Sequence, residues 1–366
     1  MMLLDNAVRA DKSGRERQGW IDAMRGFAIF LVVVGHIEMF MLEPVEESVL
    51  VRIIYLFHIP LFFFISGYLS MNKADKMSWP EFGKSLLNSF RRLVLPAMIF
   101  FVLLNWIDPY YATLSSLPDK LYSGFFGGYW FTLVLFYILV VISVIRSLFR
   151  VGSPWFAIIV FAVLLLSLTS PLILSKLNIG LEHRCLKLLC VRMFIDNLQF
   201  YMFGVLCRRY NLRFDRILKR AGWAIISLFI IAVIVKMKID SNTPLYVRVL
   251  FSFHSAVVKY LGILSCVVFF AAYRDYFQQR NKLSSFLVSC GKRSLDIYFI
   301  HYFLLGNMVA LGSFFAGNDN TGLQILFYAV AAAAIIGLSL LFGQFLRSSD
   351  YLSYVLFGSK FPAIKR

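Results

Sequence analysis

Apolar residues run along the chain in long, almost unbroken stretches, without the two-residue alternation of half-buried strands. Ten stretches stand out, at about 21–42, 50–70, 88–107, 128–149, 154–174, 191–208, 221–238, 255–273, 293–313 and 323–346. Each is about as long as the roughly 20 residues a helix needs to cross about 30 Å of hydrocarbon. They are too long and too continuously apolar for barrel strands, so helices are predicted. Arg192, Asp196, Asn197 and Gln199 interrupt the sixth. The polar intervals are short and leave no room for a soluble domain. The pattern therefore predicts an all-α, polytopic membrane protein with one transmembrane domain over 21–346, an N-terminal segment 1–20 and a C-terminal tail 347–366.

Composition agrees: 60% of the 366 residues are apolar, and mean hydropathy is +0.74. The net charge of +17 would suit a nucleic-acid partner by itself, but its distribution points elsewhere. Intervals on the N-terminal side of the ten spans carry 26 basic residues, from Arg9 through Arg213 and Lys282 to Arg366, against about 10 on the opposite side. The positive-inside rule puts that side, and both termini, in the cytoplasm. The His183 and Asp319 loops then face outward. The basic surface is a topology signal that also suits anionic lipid, and no nucleic-acid partner is expected.

The first apolar stretch is too long for a signal peptide and no A-x-A-like site follows it, so it is expected to stay as an anchor. The five cysteines have no metal or redox spacing; Cys185 and Cys190 flank an outward loop where they could pair, or be dispersed like the rest. No internal transporter-like repeat is evident.

Candidate chemistry begins in "GWIDAMRGFAIFLVVVGHIEMF", which carries Asp22, Arg25, His36 and Glu38 into or beside the first span. With 100° and 1.5 Å per residue, Arg25 and His36 lie within about 20° of one face and about 16 Å apart along the axis. The second span, "FHIPLFFFISGYLS", returns inward with His58 and Ser66. Counted from the cytoplasmic ends, Arg25 and Ser66 are both roughly 5 Å deep, and His36 and His58 roughly 20 Å deep. The pair of helices thus offers a basic level near the cytoplasm and an imidazole level deep inside.

Each group also has a structural reading. Arg25 could snorkel to headgroups and pair with Asp22, and Arg91 and Arg92 in "SFRRLVLPAMIF" suit the positive-inside bias equally. His58 could repair the helix where Pro60 removes a hydrogen bond, and Ser66-Gly67 is by itself a small-residue packing site. His36 is harder to place this way, because a mid-membrane histidine faces the bundle or a cavity by default. In "SLDIYFIHYFLL", His301 lies roughly 12 Å deep by the same arithmetic.

Five segments together, "IDAMRGFAIFLVVVGH", "FHIPLFFFISGYL", "RRLVLP", "YWFTLVLF" and "LDIYFIH", resemble the membrane-bound acyltransferase-3 proteins, bacterial sugar O-acyltransferases, and look most like the fucose O-acetylase-related branch. The resemblance spans nearly the whole chain. It implies a ten-helix enzyme of the bacterial inner membrane that takes an acyl group, acetyl above all, from cytosolic acyl-CoA to a hydroxyl of a surface or lipid-linked sugar, without a metal. Arg25 and His36 match the family's essential arginine and histidine. Arg92 matches one arginine of its third-helix motif, while Asn88 and Ser89 stand where a partner arginine is expected. No hydrolase-like domain is appended, so the helical unit is expected to complete transfer or pass the acyl group on. Arg25, Arg91, Arg92 and His301 are then donor-side candidates, and His36, His58 and Ser66 catalytic ones. His36 is expected to be a general base, its pKa lying near working pH, or a covalent acyl carrier. A transporter or flippase of a lipid-linked sugar is the alternative reading.

Overall fold

The computed structural model describes residues 19–42, 48–71, 76–107, 128–176, 184–238, 245–279, 281–316 and 321–359, and within them every regular element is helical. The loops holding His183 and Asp319, and the chain terminus, lie outside the described residues. Among the described residues, seven helices are long and apolar enough to cross a bilayer, or eight if one bent pair is a single span. Of the ten predicted spans, the fifth is helical (Pro154–Lys176), but its apolar part, Pro154–Ser170, is short for a crossing. The sixth is helical over Val191–Arg209 and divides its polar residues: Asn197 and Gln199 are buried, with Gln199 Oε1 accepting from the Tyr260 hydroxyl at 3.1 Å, while the Arg192 and Asp196 side chains stay exposed.

In chain order the elements that frame the site are α1 (Gly19–His36), extended by a π-helical turn (Ile37–Leu42), and α2 (Val49–Ser70). α3 (Trp79–Ser89) passes through a second π turn (Phe90–Val94) into α4 (Leu95–Ile107). α5 (Trp130–Leu148), α6 (Pro154–Lys176), α7 (Arg184–Leu188), α8 (Val191–Arg209), α9 (Asn211–Lys238) and α10 (Leu245–Ala272) follow. Last come α11 (Arg274–Gln278), α12 (Lys282–Lys292), α13 (Ser294–Ile300), α14 (Val309–Ala316), α15 (Thr321–Ser348) and α16 (Asp350–Phe357).

Among the described residues, two helix pairs meet with a glycine on each partner, because in lipid close backbone contact replaces the hydrophobic drive. A Cβ on Gly67 would lie 2.0 Å from the Tyr201 carbonyl oxygen, and one on Gly204 2.2 Å from that of Phe64, locking α2 to α8. The second pair bears on the site. A Cβ on Gly26 would lie 1.9 Å from the Leu287 oxygen, and one on Gly291 1.8 Å from that of Asp22. Arg25 and Lys292 each adjoin one of these glycines, so the contact sets the spacing of two basic side chains. Gly291→Ala should therefore force α1 and α12 apart, at the roughly 1–3 kcal/mol typical of overpacking. A lower thermal unfolding midpoint in detergent is expected, and an unchanged midpoint would contradict the contact.

The ninth predicted span, a continuous helix over 293–313, is not one. α13 tightens into a 3-10 turn (His301–Leu304) and α14 leaves at 97°. Gly306 and Asn307 fall in the break, where glycine is a poor helix former and the Asn307 side chain accepts from the Val309 N–H at 3.2 Å. α14 instead docks on the end of α1: Met308 N–H donates to the Met41 carbonyl at 2.8 Å, and a Cβ on Gly312 would meet the Leu42 oxygen at 2.1 Å.

The described part of the segment predicted as a tail, residues 347–359, is largely helical. α16 ends at Gly358 in the left-handed conformation (φ 59°), and a Cβ there would lie 2.0 Å from the Arg91 carbonyl oxygen. That contact seats α16 against the second π turn. All five cysteines are free thiols.

Candidate functional site

A cavity of about 350 Å³ brings Arg25, His36, Ser66 and Arg92 together. At the end that the charge distribution assigns to the cytoplasm, Lys292, Arg293 and Arg347 join Arg25 and Arg92. Among the lining residues, five cationic side chains thus face one carboxylate, Asp296. That carboxylate is already held: Arg347 donates from Nε to Oδ2 at 2.8 Å and from Nη2 to Oδ1 at 2.6 Å, a bidentate fork. Arg347 also lies over the Phe357 ring, 4.1 Å from its centroid, so α16 orients it. The net result is a strongly positive end suited to a polyanion.

The other end is aromatic and holds His36, with Trp130 and Tyr302 beside Gly128. Gly128 has φ +91°, open to glycine, and a Cβ on it would lie 2.4 Å from the Tyr302 hydroxyl oxygen. Its carbonyl accepts from the Tyr298 hydroxyl at 2.8 Å. Tyr129, the next residue, donates its hydroxyl to the Phe299 carbonyl at 3.0 Å. These bonds pin the start of α5 to α13. Gly128→Ala should displace Tyr302, whose ring is 5.0 Å from that of His36, and lower turnover while donor affinity holds. A steady-state comparison of kcat and donor KM checks this.

His36 is paired with His301. Nδ1 of His36 and Nε2 of His301 are 2.8 Å apart with the rings within 12° of parallel, and Nδ1 of His301 is 2.9 Å from the Ile297 carbonyl oxygen. His36 ends α1, and His301 follows α13, which begins one residue after α12 is broken at Arg293. His301 is fully buried and is not among the residues lining the cavity.

The remaining sequence candidates sit elsewhere. His58 is buried with Nδ1 2.8 Å from the Ile54 carbonyl oxygen, and it does not line the cavity. Arg91 is exposed and lies 5.9 Å from the Tyr354 ring centroid, outside the lining. Glu38 was legible only as an oddity. It is buried and accepts from the Ser48 N–H at 2.6 Å, the Ser48 hydroxyl at 2.6 Å and the Tyr328 hydroxyl at 2.5 Å. Those donors fix the π turn that follows His36. Lys292, Arg293 and Arg347 read in sequence as topology charges, and only the folded arrangement assigns them to the cavity.

Fold and site together define a helical membrane protein in which a half-buried His36, paired with the buried His301, lines a cavity with a cationic mouth. The acyltransferase-3 family profile, an acyltransferase domain, matches residues 18–344, and the chain belongs to that family. It is also similar to Nodulation protein NolL of Mesorhizobium japonicum (strain LMG 29417 / CECT 9101 / MAFF 303099), 32% identical over 176 residues. That match spans 42% of this chain and 44% of that protein, so it reaches less than half the length of the relative. No solved structure matches the chain.

Proposed function

We propose that the protein transfers an acyl group, acetyl above all, from acyl-CoA entering at the cytoplasmic face to a hydroxyl of a surface or lipid-linked sugar, in a bacterial inner membrane. One observation carries this reading: a single cavity joins a five-cation end to an aromatic end holding His36. The donor's phosphates suit Arg25 and Arg92, whose guanidinium groups make charge-assisted, bidentate bonds, with Lys292 and Arg293 adding point charge. Arg25 and His36 are about 16 Å apart along α1, a span an extended pantetheine arm can cover.

His36 then acts as general base. It takes the proton of the acceptor hydroxyl as that oxygen bonds to the thioester carbon, and returns it to the thiolate released as the C–S bond breaks. Trp130 and Tyr302 offer ring faces to a sugar at the same end of the cavity. Ser66 lines the same cavity.

The test is purified protein in detergent or nanodiscs with radiolabelled acetyl-CoA and a panel of glycans. Label appearing on a glycan, with CoA released in equal amount, supports the reading. Glycan translocation without acyl transfer would support a transporter instead.

A further inference from the structure

We infer that His301 is a positioning residue that fixes the tautomer of His36 and so makes Nε2 of His36 the basic nitrogen. This rests on the reading of His36 as general base and assigns the group that tunes it. The argument runs inward to outward along one hydrogen-bonded chain. The Ile297 carbonyl oxygen can only accept, so Nδ1 of His301, 2.9 Å away, carries a hydrogen. In a neutral imidazole the other nitrogen is then bare, so Nε2 of His301 is an acceptor. Nδ1 of His36, 2.8 Å from it, must therefore donate. Nε2 of His36 is left with its lone pair, on a ring that lines the cavity. A neutral histidine in water favours a hydrogen on Nε2, which would leave the wrong nitrogen bare for this geometry.

The surroundings keep the chain of bonds in one arrangement. His301 is fully buried, so it meets no substrate and acts only through His36. Tyr302 packs on both rings, 4.2 Å from His301 and 5.0 Å from His36 between centroids, and Phe40 meets the His36 ring edge-on at 5.4 Å. The bend after His301 ends the helix at the ring that must be held. An imidazole oriented by a third group is the logic of a nucleophile–base–orienter triad, here with a second imidazole and a backbone carbonyl in the orienting place. No net proton passes to His301. His36 alone gains and loses one in each turnover.

The experiment compares His301→Leu, which fills the space without accepting, with His301→Gln, whose amide oxygen falls near the Nε2 position. His301→Leu is expected to lower kcat by about 10²-fold, within the range of general-base assistance, while donor KM changes little. His301→Gln is expected to recover most of that loss. Nitrogen-15 NMR of histidine-labelled protein in nanodiscs, with His36→Gln to assign the signal, should find the hydrogen on Nδ1 of His36 in the wild type and shifted to Nε2 in His301→Leu. Full activity in His301→Leu, a loss carried by donor KM, glutamine no better than leucine, or a wild-type His36 with its hydrogen on Nε2 would each overturn the inference. Should His301→Leu fail to fold, the wild-type tautomer and the glutamine variant decide it. Retained transfer by His36→Gln would instead overturn the base itself, and an inactive His36→Gln beside an active His301→Leu would overturn only the positioning role.

Discussion

His36→Gln is expected to lose acyl transfer by about 10²–10⁴-fold, the usual worth of general-base assistance, and by more if the imidazole also carries the acyl group. Glutamine keeps the approximate size and places an amide near the Nε2 position, but it cannot take a proton. The folded protein and its affinity for CoA should be nearly unchanged, because Arg25, at the end proposed to take the donor's phosphates, lies about 16 Å away along α1. His58→Gln supplies the contrast. Its ring is bonded to the Ile54 carbonyl and lies outside the cavity lining, so that variant should keep most of its activity. Transfer assays on both proteins, with thermal unfolding as a folding control, separate chemistry from packing. Near-normal transfer by His36→Gln would leave His36 as a structural hydrogen-bonding group.

Much of this site was legible in the sequence, because helical geometry converts residue number into height. Arg25, Ser66 and His36, all singled out in the sequence, line one cavity. Height, however, does not give azimuth. His36 and His58 were placed at one depth and read as an imidazole pair, yet the His58 ring turns to its own helix backbone. The partner of His36 comes from a segment far along the chain, where counting from the start of the ninth span gave His301 a different depth from His36, although the two rings are in contact.

The basic residues were ambiguous for a different reason. Positive-inside bias and anion binding call for the same residue types at the same membrane face. Arg91 and Arg92 are neighbours on a π turn, and only Arg92 enters the cavity. Lys292 and Arg293 sit at the junction of α12 and α13, and Arg347 lies at the end of α15 in what read as a tail. Each fitted a topological explanation completely. What distinguishes the site charges is convergence of four segments on one space, which a linear pattern does not carry.

That convergence predicts a graded response to charge removal. Arg25→Ala should weaken CoA binding by about 10–100-fold, since hydrogen bonds to charged groups contribute about 1.5–3 kcal/mol and each 1.4 kcal/mol is about tenfold. Arg25→Lys should recover little, because an ammonium is a point charge and does not reproduce the two parallel donors of a guanidinium. Arg92→Ala should act in the same direction. Arg91→Ala, one residue away and exposed outside the lining, should stay within about twofold of the wild type, as surface substitutions remain within roughly 0.5 kcal/mol. Calorimetric titration of CoA into purified protein at low and high salt reads all four variants, and the Arg25 and Arg92 effects should shrink at high salt as exposed phosphate contacts are screened. If Arg91→Ala and Arg92→Ala weaken binding equally, general positive potential rather than the cavity holds the donor. If Arg25→Ala folds and binds CoA as the wild type does, Arg25 is a membrane anchor and the donor's phosphates lie with Lys292 and Arg293.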